Sequence, residues 1–227
     1  MNTMKKQLLK LFAIPVAALA LCQCAPAQTA TPPATEAEKE AFYAQTIEYR
    51  TADILKALAL NDAAKSNAVH DIIVEQYHAL RVRDAAIDTR LKVDGKEVNY
   101  ANRAAQLAVQ SQPLHDQFLA KLAANLPPEQ VEQIKDLMTY KKVKVTYDAY
   151  CVIVPGLTDA EKAKILELLK AAREEAIDGG NAPEKSAIFQ KYKNQINAWL
   201  DAQGHDTAKA FKEWSGKNPN TNNPAAK

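Results

Sequence analysis

Residues 62–91, DAAKSNAVHDIIVEQYHALRVRDAAIDTRL, decide the fold. Val69, Ile73, Leu80, Ile87 and Leu91 recur at helical spacing, which gives the segment one apolar stripe. Asp94-Gly95 then breaks it as a turn. The same pattern extends upstream, where Phe42, Ile47, Ile54, Leu55 and Leu58 predict a helix from Glu36 to about Leu60. Downstream, a third helix is predicted over Tyr100 to Ala124. Pro113 lies inside it, so a kink or an interruption is expected there.

Helix starts are marked by a small recurring signature. Leu60-Asn61-Asp62, Leu126-Pro127-Pro128-Glu129-Gln130 and Leu157-Thr158-Asp159-Ala160-Glu161 each precede a helical pattern. Thr158 with Glu161 reads as a capping box, in which hydroxyl and carboxylate satisfy two backbone donors reciprocally. That helix should run to Asp178 and end on Gly179-Gly180 in a left-handed cap. The next spans Glu184 to Ala202, with Ile188, Phe189, Tyr192, Ile196, Trp199 and Leu200 on its stripe; Gly204 ends it. A last short helix carries Phe211 and Trp214.

Val143 to Pro155 is the least helical stretch, because its β-branched residues resist helix slightly. An extended connection followed by a short helix is expected there. The fold class is therefore all-α: an irregular bundle of about six to seven helices with one short extended connection. Six glycines are few for 227 residues, which agrees with scarce turns and bulges.

Residues 1–27 read as a signal peptide. Lys5, Lys6 and Lys10 flank the apolar run Leu11 to Leu21, and Ala25-Pro26-Ala27 offers small residues for cleavage. The expected location is periplasmic or secreted. A lipid anchor through Cys22 or Cys24 fits less well, since Leu21 and Gln23 stand where a small residue is wanted. Residues 28–34 form a linker, 35–215 one helical domain, and 216–227 a disordered tail rich in Asn, Pro and Lys.

Without the signal the chain has 26 basic against 27 acidic residues, so no basic footprint for nucleic acid remains. No transmembrane helix is expected in the mature form. One cysteine remains, Cys151, read as a small buried hydrophobe in an apolar run.

Thr139-Tyr140, Val145-Thr146-Tyr147-Asp148-Ala149-Tyr150 and Pro155-Gly156-Leu157-Thr158 begin a longer pattern. It continues through Ala172-Arg173-Glu174-Glu175-Ala176-Ile177-Asp178-Gly179-Gly180, Glu184-Lys185, Phe189, Lys191-Tyr192-Lys193, Ile196-Asn197 and Gly204-His205-Asp206. Together these resemble a family of exported bacterial proteins with a domain of unknown function. Members of it stand beside polysaccharide-degrading enzymes, and some are labelled sugar-binding. The resemblance is strongest over residues 136–206. The chain departs from the family pattern at Lys141, where glycine is usual, at Ser186, where histidine is usual, and at His205, where tyrosine is usual.

Two groups of residues are candidates for a ligand site. Glu174 and Asp178 share a helix face at i,i+4, next to Arg173. Lys185 and Lys193 lie on the following helix, folded back by the glycine pair. Carboxylates could accept from sugar hydroxyls while the bases hold a uronate; alternatively, the group is an inter-helix salt-bridge network. Tyr140, Tyr147, Tyr150 and Tyr192 form the second group, able to stack on pyranose faces or else to fill the core.

Asp71, Glu75 and His78 share one face of the second helix, but that face lies opposite Ile73 and reads as solvated, so no metal is expected. No cofactor motif is present. The resemblance implies a carbohydrate or other small polar ligand. A glycan-active lyase or hydrolase is the alternative. A helical chaperone is a further one, because Leu-Thr-x-x-Gln-like steps also mark periplasmic stress proteins of the Spy and CpxP type.

Overall fold

Helix boundaries follow from capping chemistry. The computed structural model describes residues 35–91 and 100–218. Among these lie eight helices: α1 (Glu36–Leu58), α2 (Ala63–Leu91), α3 (Tyr100–Asn125), α4 (Pro128–Met138), α5 (Lys142–Ile153), α6 (Asp159–Ala176), α7 (Ala182–Ala202) and α8 (Thr207–Lys217). The segments read as a signal peptide and a linker, the turn expected at Asp94-Gly95, and residues 219–227 of the expected tail fall outside the described residues. Gly216 and Lys217, read as tail, belong to α8.

Thr158 caps α6 as its sequence requires. Glu161 N donates to Thr158 Oγ1 at 3.3 Å, and Thr158 N donates to Glu161 Oε2 at 2.7 Å. Thr35 and Glu38 make the same reciprocal pair at α1. Asn181 and Asp206 accept from Glu184 N and Lys209 N, each at 2.9 Å, to start α7 and α8.

Three sequence expectations need correction. Val143 to Ile153 is helix, not an extended connection, and no strand occurs among the described residues. Val143, Thr146, Ala149, Tyr150 and Ile153 are buried at helical spacing, and burial of that face outweighs a β-branched penalty of a few tenths of a kcal/mol per residue. Cys151 points away from that face and is exposed. At Pro113, where a kink or an interruption is expected, α3 is continuous, so of the two only the interruption is ruled out. The carbonyl that loses its helical donor there is that of Val109, a residue 74% exposed.

Gly179-Gly180 is not a left-handed cap either. Among the described glycines only Gly156 and Gly204 have positive φ, and α6 ends on Ile177 in right-handed backbone. The glycines serve close approach instead. A Cβ on Gly180 would lie 1.8 Å from Asp84 Oδ2, and one on Gly179 would lie 3.0 Å from Lys185 Cγ.

Burial divides into two cores. The first gathers Ile47, Ile54, Ile73, Tyr77, Phe118, Leu122 and Ile134 from α1 to α4, with Ile177 inserted from the end of α6. The second gathers Val143, Tyr150, Ile165, Leu169, Phe189, Ile196 and Leu200 from α5, α6 and α7. Phe211 of α8 closes it, edge-on to Tyr150 with ring centroids 5.7 Å apart. α2 packs chiefly on α3 and α6 on α7, and the two halves meet where α6 packs on α4 and where the α6–α7 turn is bonded by α2 and α3. No described helix is long and apolar enough to cross a membrane.

Candidate functional site

An open cleft of about 680 Å³ lies where the two halves meet, between α3 on one side and α6 and α7 on the other. Its size suits a small ligand, for which roughly 300–1,000 Å³ is usual. Leu107, Ala108, Ala171, Ala187 and Ile188 supply apolar walls, and Tyr192 adds an aromatic edge. At its polar end stand Ser111, Gln112, His115, Glu174 and Asp178.

His115 organises that end. Its Nδ1 lies 2.9 Å from Asp178 Oδ2 and its Nε2 lies 4.0 Å from Glu174 Oε2. A carboxylate can only accept, so Nδ1 carries hydrogen and donates. The bond to Asp178 pushes the imidazole above its ordinary value, against the opposing effect of burial. Asp178 is 8% exposed and also accepts from Gln76 Nε2 at 3.4 Å.

A buried arginine supports the floor. Arg83 donates to the Asp178 carbonyl at 2.8 Å, to Ser111 Oγ at 2.8 Å and to Asp84 Oδ1 at 2.7 and 2.9 Å. The Ser111 hydroxyl donates onward to Leu107 O at 2.6 Å, which occupies its proton and leaves it without a base. Arg103 ties Asp88 at 2.8 Å to Glu184 at 2.6 Å, and Gly180 N donates to the other Glu184 oxygen at 2.8 Å. The α6–α7 turn is thus held from three helices.

The nine residues singled out from sequence do not converge. Glu174, Asp178 and Tyr192 share the cleft. Arg173 is 3% exposed on the α4 side of α6, where it donates to Asp136 Oδ1 at 2.7 Å, to Glu132 and to Glu174 Oε1 at 3.1 Å. Lys135 completes that network with Glu132 and Glu174 at 2.9 and 3.0 Å. Lys185 is 1% exposed and donates to the Ala176 and Ile177 carbonyls at 3.0 and 3.1 Å, which closes the end of α6 from within. Burial lowers its amine to about 8.

Tyr150 is a core residue whose hydroxyl donates to Asn197 Oδ1 at 2.6 Å; burial raises its phenol. Tyr147 is half-buried against the second core, Tyr140 is exposed on the α4–α5 turn, and Lys193 is buried outside the cleft lining. Within the charge group Arg173 pairs with Glu174 and His115 with Asp178, whereas Lys185 reaches only carbonyls and no ion pair among the described residues joins Lys185 or Lys193 to either carboxylate. His115, Gln76 and Arg83 were missed by the sequence reading. Asp71, Glu75 and His78 lie exposed, and Glu75 is paired with Lys121 at 2.6 Å.

Fold and site together define an all-α bundle whose two cores flank a cleft with one polar end. The chain belongs to the family described as "Protein of unknown function (DUF3826)", which matches residues 44–219. No curated protein matches it.

Proposed function

We propose that this is an exported binding protein for a neutral oligosaccharide in a setting of polysaccharide degradation, and that the cleft between α3, α6 and α7 is its site. The observation that carries the reading is the pairing of apolar walls and the Tyr192 edge with the His115, Glu174 and Asp178 cluster in one cleft. Pyranose rings have apolar faces that pack on such walls, and hydroxyls that donate to carboxylates and exchange hydrogen bonds with imidazole. Export rests on the features of residues 1–27.

The uronate version of the idea loses its support. Arg173 and Lys185 are consumed by interior partners and neither they nor Lys193 line the cleft, which instead carries Glu174, Glu175, Asp178 and Glu184. Calorimetric titration of neutral and uronate oligosaccharides tests this. Neutral sugars should bind, and Tyr192→Ala should weaken binding at least tenfold. Preference for uronates, or binding indifferent to Tyr192→Ala, would overturn it.

One observation favours an enzymatic second reading: Asp178 orients His115 as a carboxylate orients a general base. Release of new reducing ends or unsaturated products, lost in His115→Gln, would establish it. A chaperone finds less support, because Phe42, Tyr49, Val82, Val109, Val145 and Val152 are exposed on four separate helices.

A further inference from the structure

Trp214 is the large side chain that neither core explains. The chain has two tryptophans: Trp199 packs on the second core, as Phe211 of α8 does, whereas Trp214 belongs to neither core. It is half-buried, its carbonyl accepts from Asn218, and its indole N–H has no acceptor among the described residues. An indole carries a large apolar face and one donor, and here both are free for a ligand.

The ring borders a groove of about 480 Å³ between the end of α5 and α8, a size usual for small-ligand sites. Val152 to Pro155, where α5 ends, supply its apolar wall. Ile153 and Val154 are buried, but Val152 is 70% exposed, so the wall keeps uncovered apolar surface. The opposite wall is held in place by the fold. α8 is seated by Phe211 against Tyr150 and by the buried Thr207, whose N–H donates to Asp201 Oδ1 at 2.9 Å. Gly204, at a φ of 98°, turns the chain out of α7, in backbone that only glycine adopts readily.

The polar lining comes from His205, Asp206, Lys209, Glu213 and Lys217. His205 Nε2 lies 2.9 Å from Glu161 Oε1, and because a carboxylate only accepts, Nε2 carries the hydrogen. Its Nδ1 has no partner among the described residues. Lys209 and Glu213 stand 4.0 Å apart with side chains 69% and 56% exposed, so each keeps capacity for further hydrogen bonds. Two ammonium groups are set against two carboxylates, which leaves the groove no net charge with which to select an anion or a cation. Uncovered aromatic and aliphatic surface, joined to donors and acceptors in balance, fits a neutral sugar. Its C–H face packs on an indole, and its hydroxyls both donate and accept.

We propose that the groove between the end of α5 and α8 is a second carbohydrate site, in which Trp214 stacks on a pyranose ring while His205, Lys209 and Glu213 bind its hydroxyls. It shares no lining residue with the cleft, so it stands whether or not the cleft holds a sugar.

Trp199→Phe leaves Trp214 as the one indole of the chain and does not touch the groove. The emission of this variant should be followed while maltohexaose, cellohexaose, xylohexaose or mannohexaose is added. A saturable change with at least one of them, retained when Tyr192→Ala is added, is the expected result. By calorimetry, Trp214→Ala should weaken this binding at least about tenfold, as loss of a central aromatic anchor does. That variant keeps Phe211 and Thr207, which seat α8, and should fold. Silent emission with all four sugars, or binding equal in wild type and Trp214→Ala, would overturn the site. An emission change that disappears with Tyr192→Ala would overturn it too, by assigning the signal to the cleft. Binding abolished by Tyr192→Ala while Trp214 stays silent would leave the cleft standing and remove the groove. The reverse pattern would keep the groove and remove the cleft.

Discussion

His115 touches both halves of the polar cluster, and its contacts show what single residues contribute. Asp178 takes its Nδ1 hydrogen while Gln76 and Arg83 hold Asp178 from below. Gln76 and Arg83 stand on the buried stripe of α2 with Val69, Ile73, Leu80 and Ile87. A sequence reading that collects apolar residues passes over them, although polar residues in a core register are a legible mark of a buried site. Gly180 shows the opposite case. Its glycine reads as a cap, but the reason for it is the Asp84 carboxylate, visible only once α2 meets the turn. Because Arg83 clamps that carboxylate, Gly180→Ala should destabilise the fold by about 1–3 kcal/mol, measured by denaturant unfolding. A change under 0.5 kcal/mol would mean that the turn gives way freely.

Among the elements, α6 was legible because its signals are local, a hydroxyl, a carboxylate three residues on, then an apolar stripe, and α1 was legible from its stripe alone. α5 was not, because its propensity and its packing disagree and packing prevails. The turn before it also carries strain. Tyr140 and Lys141 adopt φ of 59° and 55°, and Ala59 at the end of α1 adopts 49°. Such backbone suits glycine, which has no Cβ to clash there. Lys141→Gly and Ala59→Gly should each stabilise the protein by up to about 1 kcal/mol in thermal unfolding, since each relieves a left-handed penalty. Loss of stability in both would show that side-chain contacts there outweigh backbone strain.

For the whole molecule, the helical class could be read from sequence, whereas the cleft arises from how two helical halves meet. Its walls come from residues about 70 positions apart, and no local pattern records that α3 faces α6 and α7. The titrating groups make stability depend on pH in two windows. His115 is raised in the fold, so its contribution is fully present below pH 6.5 and is lost as pH rises through its folded value. Lys185 and Lys193, held to about 8, cost stability below that pH, and the cost is relieved as pH rises from about 8 towards 10.5. Unfolding profiles should therefore dip near pH 8, and His115→Gln should flatten the acidic side; an unaltered profile in that variant would remove the imidazole from the account. His70 has the same sign, but its pair is largely exposed and contributes little.

The four histidines offer the most direct test of the cleft, because they stand in different places: His115 within it, His205 against Glu161, and His70 and His78 on α2. Their imidazole proton resonances should be followed while a neutral oligosaccharide is added to the Trp214→Ala variant, whose α8 groove is disabled. A saturable shift confined to His115 is the predicted result. Saturable binding that moves His205 or α2 histidines while His115 stays still would contradict the assignment of this cleft as the ligand site.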